Sequence, residues 1–453
     1  MGGLNTSLLI GLQGLEAAQG ALTATSNNIA NASTTGYTRE IVQLSENPLE
    51  QQGGTVTGGG VSLTGLQSVR DELLNLQIQA QTSQQSSANT QNTLLDQVQT
   101  YFTTTGVDIT SALSSFSSSL AQLSANPTST AVQQGVLSAG QNLAQAFNTT
   151  ANGLTSVQSS ADSQVTQTVA QINNLTAQIA QLNGQVAQLT AAGKDGGTTE
   201  DQRDELVQQL SQLTGISVTQ SSDGETITTA NGSPLVVGNQ SFSLQTTTGT
   251  DGMQHVLDSN GNDITSSISG GQLGGAIEIR DQTIPGFLSQ LNTLATEFAS
   301  SFNAAQAEGY DSNGNAGQDF FTVSSTNAAA SMSVAISDPS QIAISSDGSS
   351  GSSGNVTNLA DAVNNNLSSG QSASQMYSNL VSAVGTAASN ASTQSTAISQ
   401  NLLQLTDLQG SESGVSTDEE TTNLIRYQTA YQAAARVVST IETLNDATIN
   451  MIS

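Results

Sequence analysis

LLIGLQGLEAAQGALTATSNNI, residues 8–29, carries an aliphatic side chain at every seventh position: Leu8, Leu15, Leu22 and Ile29. Leu4, Gly11, Ala18 and Thr25 make a second row beside it. Alternating steps of four and three keep both rows on one face of an α-helix, and the small second row lets another helix approach closely. The spacing predicts a helix that ends near Asn31, where Ala-Ser-Thr-Thr-Gly follows and Gly36 can take the positive φ of a turn.

The other end repeats the pattern. Residues 415–453 contain neither Gly nor Pro. Leu424, Tyr431, Val438 and Ile452 share one seven-residue row, with Asn445 its polar member, and Tyr427, Ala434, Ile441 and Thr448 form the other. Ser416-Thr-Asp-Glu-Glu supplies an N-cap followed by acidic residues in the first turn, as the helix dipole favours. Each terminal helix is long and apolar on one face, so neither is stable alone in water. The expected polymerisation seam is therefore Leu8, Leu15, Leu22 and Ile29 with Leu424, Tyr427, Tyr431, Val438 and Ile441.

Composition agrees with helices rather than thick cores. Only 35% of the 453 residues are hydrophobic and 3% aromatic, with no Trp. Such a chain buries narrow stripes of Ala, Leu, Ile and Val, which suits bundles. Seven Lys and Arg against 35 Asp and Glu leave a formal charge of -28. Phosphate binding needs clustered cations, so nucleic acid is excluded as a partner, and so is adsorption to an anionic membrane. The absence of Cys removes disulfides and thiol chemistry. No run of about 18 apolar residues could span a bilayer. The first basic residue is Arg39, and Gln13, Glu16 and Gln19 interrupt the apolar positions, so the N-terminus does not read as a cleaved secretory signal.

Between the ends lies a second helical tier, with helices predicted over 66–104, 109–124, 131–192, 198–214, 281–308 and 372–409. In the longest, Val165, Ile172, Ile179 and Val186 alternate with Leu175, Leu182 and Leu189, the pattern of a two-stranded seam. Gly135, Gly140 and Gly153 predict a break in its first third. Residues 216–280 change character: Asp223-Gly224, Asn231-Gly232 and Asn260-Gly261 are hairpin signals between short runs such as Ile216-Ser-Val and Leu235-Val-Val. They read as a small inserted β domain. Residues 346–354, rich in Ser and Gly, read as a flexible linker.

No motif points to catalysis or metal. Asp258-Ser-Asn-Gly-Asn-Asp and Asp311-Ser-Asn-Gly-Asn-Ala imitate calcium loops, but an EF-hand needs Gly at position six and Glu at twelve. Those positions hold Asp263 and Ser269 in one, Ala316 and Thr322 in the other, so Asx turns are expected. His255 is the sole imidazole and reads as structural. Asn27 and Asn31, four apart, share a helix side and could bond a neighbour; on spacing alone a plain helix terminus is the better reading.

SNNIANASTTGYTRE, from Ser26 to Glu40, resembles the signature of flagellar rod, hook and hook-associated proteins, with Thr35 where Pro is usual. Its carrying residues are Asn27, Asn28, Ile29, Asn31, Gly36 and Tyr37. SGVSTDEETTNLIRYQTAYQAAARVV, from Ser413 to Val438, looks like the C-terminal partner signature. DQRDELVQQLSQLTGISV from Asp201, GGQLGGAIEIRDQTIPGFLSQLNTLA from Gly270 and FNAAQAEGYDSNGNAGQDFF from Phe302 narrow the resemblance to the flagellar hook-associated protein 1 family, over nearly the whole chain. After Phe321 many members carry a further outer domain, whereas this chain moves soon to Ser331-Met-Ser-Val, so the outermost domain is expected to be absent or much reduced.

The resemblance implies a structural subunit of the flagellum that forms the hook–filament junction ring and adapts hook to filament. It implies export, largely unfolded, by the flagellar type III system without a cleaved signal, and an extracellular place in the flagellum. Implied partners are further copies of the chain, the hook protein below, the second junction protein above, and an export chaperone on the C-terminal helix. It implies no enzyme activity, cofactor, metal, nucleic acid or membrane insertion. The expected fold is mainly α, with long terminal helices pairing as a coiled coil (1–60 with 415–453), a helical-bundle rod (61–215 with 281–414) and an outer β-rich domain (216–280). The terminal helices are expected to be disordered in the monomer, since one pair leaves apolar surface over. The alternative is an extracellular adhesin or ligand-binding module with helical stalks, which glycan binding by the β domain would favour.

Overall fold

The computed structural model describes residues 2–452 apart from 35, 49, 53, 54, 104–107, 222 and 223. Thr35 and Asp223, both singled out in the sequence, lie outside the described residues. The first helix, α1 (Gly2–Asn31), is followed by strands β1 (Glu40–Glu46), β2 (Glu50–Gln52), β3 (Thr55–Thr57) and β4 (Val61–Ser68). Helices α2 (Glu72–Thr103), α3 (Ile109–Ala125), α4 (Thr130–Ala191) and α5 (Thr198–Leu213) come next. Then follow β5 (Ile216–Ser221), β6 (Gly224–Thr229), β7 (Pro234–Val237), β8 (Gln240–Ser241), β9 (Gln245–Thr248) and β10 (Gln254–Leu257). Helix α6 (Gly271–Glu278), a π turn (Ile279–Thr283) and α7 (Ile284–Ala307) run on without a gap. After β11 (Phe321–Thr322), α8 (Ala328–Ser331) and β12 (Ser333–Val334), the chain ends in α9 (Val356–Asn364), α10 (Ala373–Ser413) and α11 (Thr417–Ile452).

Helix α4 is the spine, about 90 Å long at 1.5 Å per residue. Its first half lies in a core with the ends of α2 and α10, with α3, α7 and α9, and with residues 320–344. Phe116, Phe298, Phe302, Phe320 and Phe321 meet at its centre, with ring centroids 4.7–6.4 Å apart. Its second half lies in a separate core with α5, α6 and the β-strands.

The expected break in α4 does not occur. Gly140 and Gly153 make room instead: a methyl group at Gly140 would come within 2.6 Å of the Phe320 ring, and one at Gly153 would overlap Tyr101. The row Val165, Ile172, Ile179 and Val186 is buried, and its first three members pack against α5, α6 and the β region rather than a second long helix. A β-branched stripe marks a partnered face without saying what the partner is.

The β region is a four-stranded sheet in the order β5-β6-β7-β8, with β9 and β10 paired beside it. Asn231-Gly232 makes the β6–β7 turn, and Gly232 takes φ +89°. The strands stop at Leu257, however, and 271–278 is helical. This Gly-rich segment, counted with the β domain from sequence, is a helix in which Gly275 packs so closely on α2 that a methyl group there would lie 2.6 Å from the Ser87 carbonyl oxygen. Both Asp-Ser-Asn-Gly-Asn segments are Asx turns: Asp258 accepts from the amides of Asn260 and Asn262, and Asp311 from those of Asn313 and Asn315, all at 2.8–2.9 Å. Residues 346–354 are not a free linker. Asp347 accepts from the Ser349 amide at 3.0 Å, and the Asn355 amide donates to Ile344 at 3.1 Å, closing the segment as turns.

Strand β4 pairs antiparallel with β1, from Glu40↔Ser68 to Glu46↔Val61. This hairpin was not expected, although V-S-L-T at 61–64 has the period of two that a half-covered strand shows. Pairing ties residues 61–68 to the N-terminal helix rather than to the rod.

Candidate functional site

The terminal helices pair antiparallel: a methyl group at Gly11 would lie 3.0 Å from the Val438 side chain, and one at Gly14 would lie 4.0 Å from Ala434. On α11 the inward face is Leu424, Tyr427, Tyr431, Ala434, Val438, Ile441, Asn445 and Thr448, of which Ile441 is buried and the others half-buried. On α1 the small row is deepest. Gly11, Ala18 and Thr25 are buried together with Ala17, Ala21, Ala24 and Asn28, while Leu8, Leu15, Leu22 and Ile29 remain half-buried at the flank. The reason is a second neighbour. The β1–β4 hairpin covers the other side of α1, with Leu63 against Gly20.

The structure also explains Ser26–Glu40. Buried Asn28 donates to the Glu40 carbonyl and accepts from the Glu40 amide, both at 2.9 Å, and its oxygen also accepts from the Tyr37 hydroxyl at 2.9 Å. Asn28 thus replaces a backbone partner for β1 and fastens the strand to the helix end. Gly36, at φ +78°, makes the reversal between them. Asn31 donates only to the Asn27 carbonyl, at 3.1 Å, so this pair caps its own helix.

Below the hairpin lies a charged joint that sequence reasoning missed. Arg70 pairs with Glu200 and, at 2.7 Å, with Asp201; its third nitrogen partner is the Gly197 carbonyl at 2.9 Å. Arg203 pairs with Glu225 at 2.9 Å and Asp204 at 3.2 Å. Backbone amides join in: Thr38 donates to Asp201 at 3.1 Å and Ser68 to Asp195 at 2.8 Å. Burial raises the carboxyls of Glu200 and Asp204 despite the neighbouring guanidiniums, and burial pushes Glu225 up to about 7. The signal was the scarcity of cations: Arg39, Arg70, Lys194 and Arg203, four of the seven, belong to segments that meet here.

His255 sits between Asp263 at 2.6 Å and Asp251 at 3.2 Å at the surface of the β region, and hydrogen bonds to both raise its pKa. Among the described residues no cluster of His, Asp and Glu could hold a metal ion, and no helix is long and apolar enough to cross a membrane.

Residues 8–38 match the flagella basal body rod protein family and residues 409–451 the flagellar basal body rod FlgEFG protein C-terminal family, so both helix ends carry axial-protein patterns. Residues 95–321 match the flagellar hook-associated protein FlgK helical domain. The chain belongs to the flagellar hook-associated protein 1 family. Flagellar hook-associated protein 1 of Bacillus subtilis is 30% identical over 501 residues, covering 98% of each chain. The Salmonella typhimurium protein of that name is 28% identical over 544 residues, covering 97% of this chain and 98% of its own. The flagellar hook junction protein FlgK from Burkholderia pseudomallei superposes with a TM-score of 0.68 at 21% identity, over 74% of this chain and all of that one, so the fold is shared. As a hook-associated protein of this family, the chain is a structural component of the bacterial flagellum and not an enzyme. The adhesin reading gains no observation.

Proposed function

We propose that the chain forms the ring at the hook–filament junction, exported unfolded by the flagellar type III system and assembled through α1 and α11. The observation that carries this reading is what the pair leaves uncovered. Leu9 is 57% exposed, Ile425 60%, Ile449 60% and Met451 79%, and Leu12, Val437 and Leu444 join them on the outer faces. Each large aliphatic side chain withdrawn from water contributes about 1.5–3 kcal/mol, so packing several such pairs around a common axis is strongly favoured. The hook protein below, the second junction protein above and a chaperone on α11 before export are the partners this reading assigns. The rod then forms the next layer and the β region the outer one.

Deletion of residues 424–453 tests the proposal. The truncated chain should keep both cores folded, by circular dichroism and protease resistance, and should fail to join hook to filament. Normal filament attachment by that chain would refute assembly through the helix pair.

A further inference from the structure

The charges of α11 are sorted along the helix and around it. Arg426 and Arg436 precede Glu442 and Asp446, and all four are exposed. Sixteen residues part Arg426 from Glu442, about 24 Å along the axis and about 160° round it, and Asp446 lies one turn further on. The face toward α1, through Tyr431, Ala434 and Val438, falls between the two. One flank of α11 therefore carries a cation and the opposite flank two carboxylates. Acids outnumber cations 35 to 7 in the chain, yet Arg426 finds none at home. Among the described residues of the terminal helices and hairpin, Arg39 pairs with Glu419 at 3.5 Å, whereas Arg426, Glu442 and Asp446 meet no group of opposite charge. Arg426 is nevertheless held in place: Nη2 donates to the Tyr427 hydroxyl at 3.0 Å, and the guanidinium lies 4.9 Å from the centroid of that ring. A side chain fixed beforehand loses little entropy when a partner arrives.

Ile449 is exposed for a different reason. Gly11 faces Val438 and Gly14 faces Ala434, so α1, which starts at Gly2, has run out before that antiparallel register reaches Ile449. Copies turned about a common axis run their α11 helices parallel. If two such helices stood level, flank against flank, Arg426 of one would meet Leu424 and Gln428 of the other, and Glu442 would meet Leu444. Both charges would lose water and gain no counter-charge. With one helix advanced by sixteen residues, Arg426 stands beside Glu442, one turn from Asp446, and the small Ala433 stands level with Ile449. Charge and shape select the same displacement.

We propose that neighbouring copies bind flank to flank through α11, Arg426 of one against Glu442 and Asp446 of the next, with an axial step of about 24 Å. The partner is a second copy of this chain, and the proposal rests on the reading that α1 and α11 are the assembly elements. Opposite flanks meet, so the contact is heterologous and each copy keeps one flank for the next. It forms in the assembly, where neighbours order the terminal helices, and does not need them folded in the isolated chain.

The chain has no Cys, so introduced cysteines report unambiguously. Flagella would be purified from cells whose only copies are two coexpressed single variants, then oxidised. Ala433→Cys with Ile449→Cys should give a cross-linked dimer, since a disulfide needs Cα atoms within about 7 Å, and neither variant alone should. Ala433→Cys with Ala435→Cys, which would meet only between level copies, should give none. Adding Arg426→Glu to both chains should cut the 433–449 dimer at least about tenfold, and adding Glu442→Arg as well should restore most of it. Dimer from the level pair or from one variant alone, or none from 433 with 449 in flagella that contain the chain, would overturn the register. So would a 433–449 dimer that Arg426→Glu leaves unchanged, or a loss that Glu442→Arg does not recover. Absence of the parent chain from purified flagella would instead refute the assembly reading, and the register with it.

Discussion

Arg280 offers the sharpest test of how the β region is held to the spine. It lies in the π turn between α6 and α7, and its side chain is 1% exposed. One Nη1 donates to Asp162 of α4 and to the Gln254 carbonyl of β10, each at 2.7 Å. Nε and Nη2 engage both oxygens of Asp281 at 2.6 and 2.9 Å. The Gln254 amide in turn donates to Asp162 at 2.8 Å, so helix, strand and π turn share one network. Arg280→Met fills much of the volume but leaves two carboxylates without a cation. Breaking a buried pair from one side costs about 3–5 kcal/mol. Side-chain exposures of 18% for Asp162 and 34% for Asp281 let water recover part of that, which places the expectation near the lower figure. A loss of about 3 kcal/mol corresponds to about a hundredfold faster opening, since 1.4 kcal/mol is a factor of ten. Hydrogen exchange of the 245–257 peptides should therefore accelerate by that factor while α3 is unchanged. Arg280→Lys, which keeps charge but not the fork, should lose about half as much. Adding Asp162→Asn to Arg280→Met should cost less than adding it to the parent chain. If exchange at 245–257 stays at the parent rate in Arg280→Met, the network is not what fastens β10.

Asn28→Ala removes three hydrogen bonds and strands the Glu40 backbone, with an expected loss of about 2 kcal/mol in the terminal unit, read as faster exchange at 40–46 and 61–68. Glu225 has a folded carboxyl at about 7 against an ordinary 4.5, so the folded state holds its proton more tightly than the unfolded one. Its contribution is most favourable below 4.5 and is lost as pH rises to about 7; Glu225→Gln should flatten the decline, by about 3 kcal/mol at most. His255 has the same sign. Its raised pKa adds stability below the ordinary 6.5 that disappears as pH rises through the folded value, and His255→Gln should abolish this in thermal melts of the β region.

Some of this protein was legible in its residues alone. Seven-residue spacing at both ends determined two amphipathic helices and named the inward face of α11, because helical periodicity is a local property of the chain. Asx chemistry at Asp258 and Asp311 was equally local, and the terminal signatures pointed to the flagellar axial proteins. The tertiary structure alone decided what each face meets. It turned Gly140 and Gly153 from presumed breaks into seats for Phe320 and Tyr101, and placed Gly275, inside the expected β insert, in a helix against α2, because a missing side chain gains meaning only from the group that fills its space. It gave the small row of α1 two neighbours and so moved the deepest contact from the leucines to Gly11, Ala18 and Thr25. It also brought Arg70 against Glu200 and Asp201, and Arg203 against Glu225, pairs whose members lie on separate segments. Ion pairing between distant segments leaves no period to read, so the polar joint between terminal helices and rod emerged only once the chain was folded.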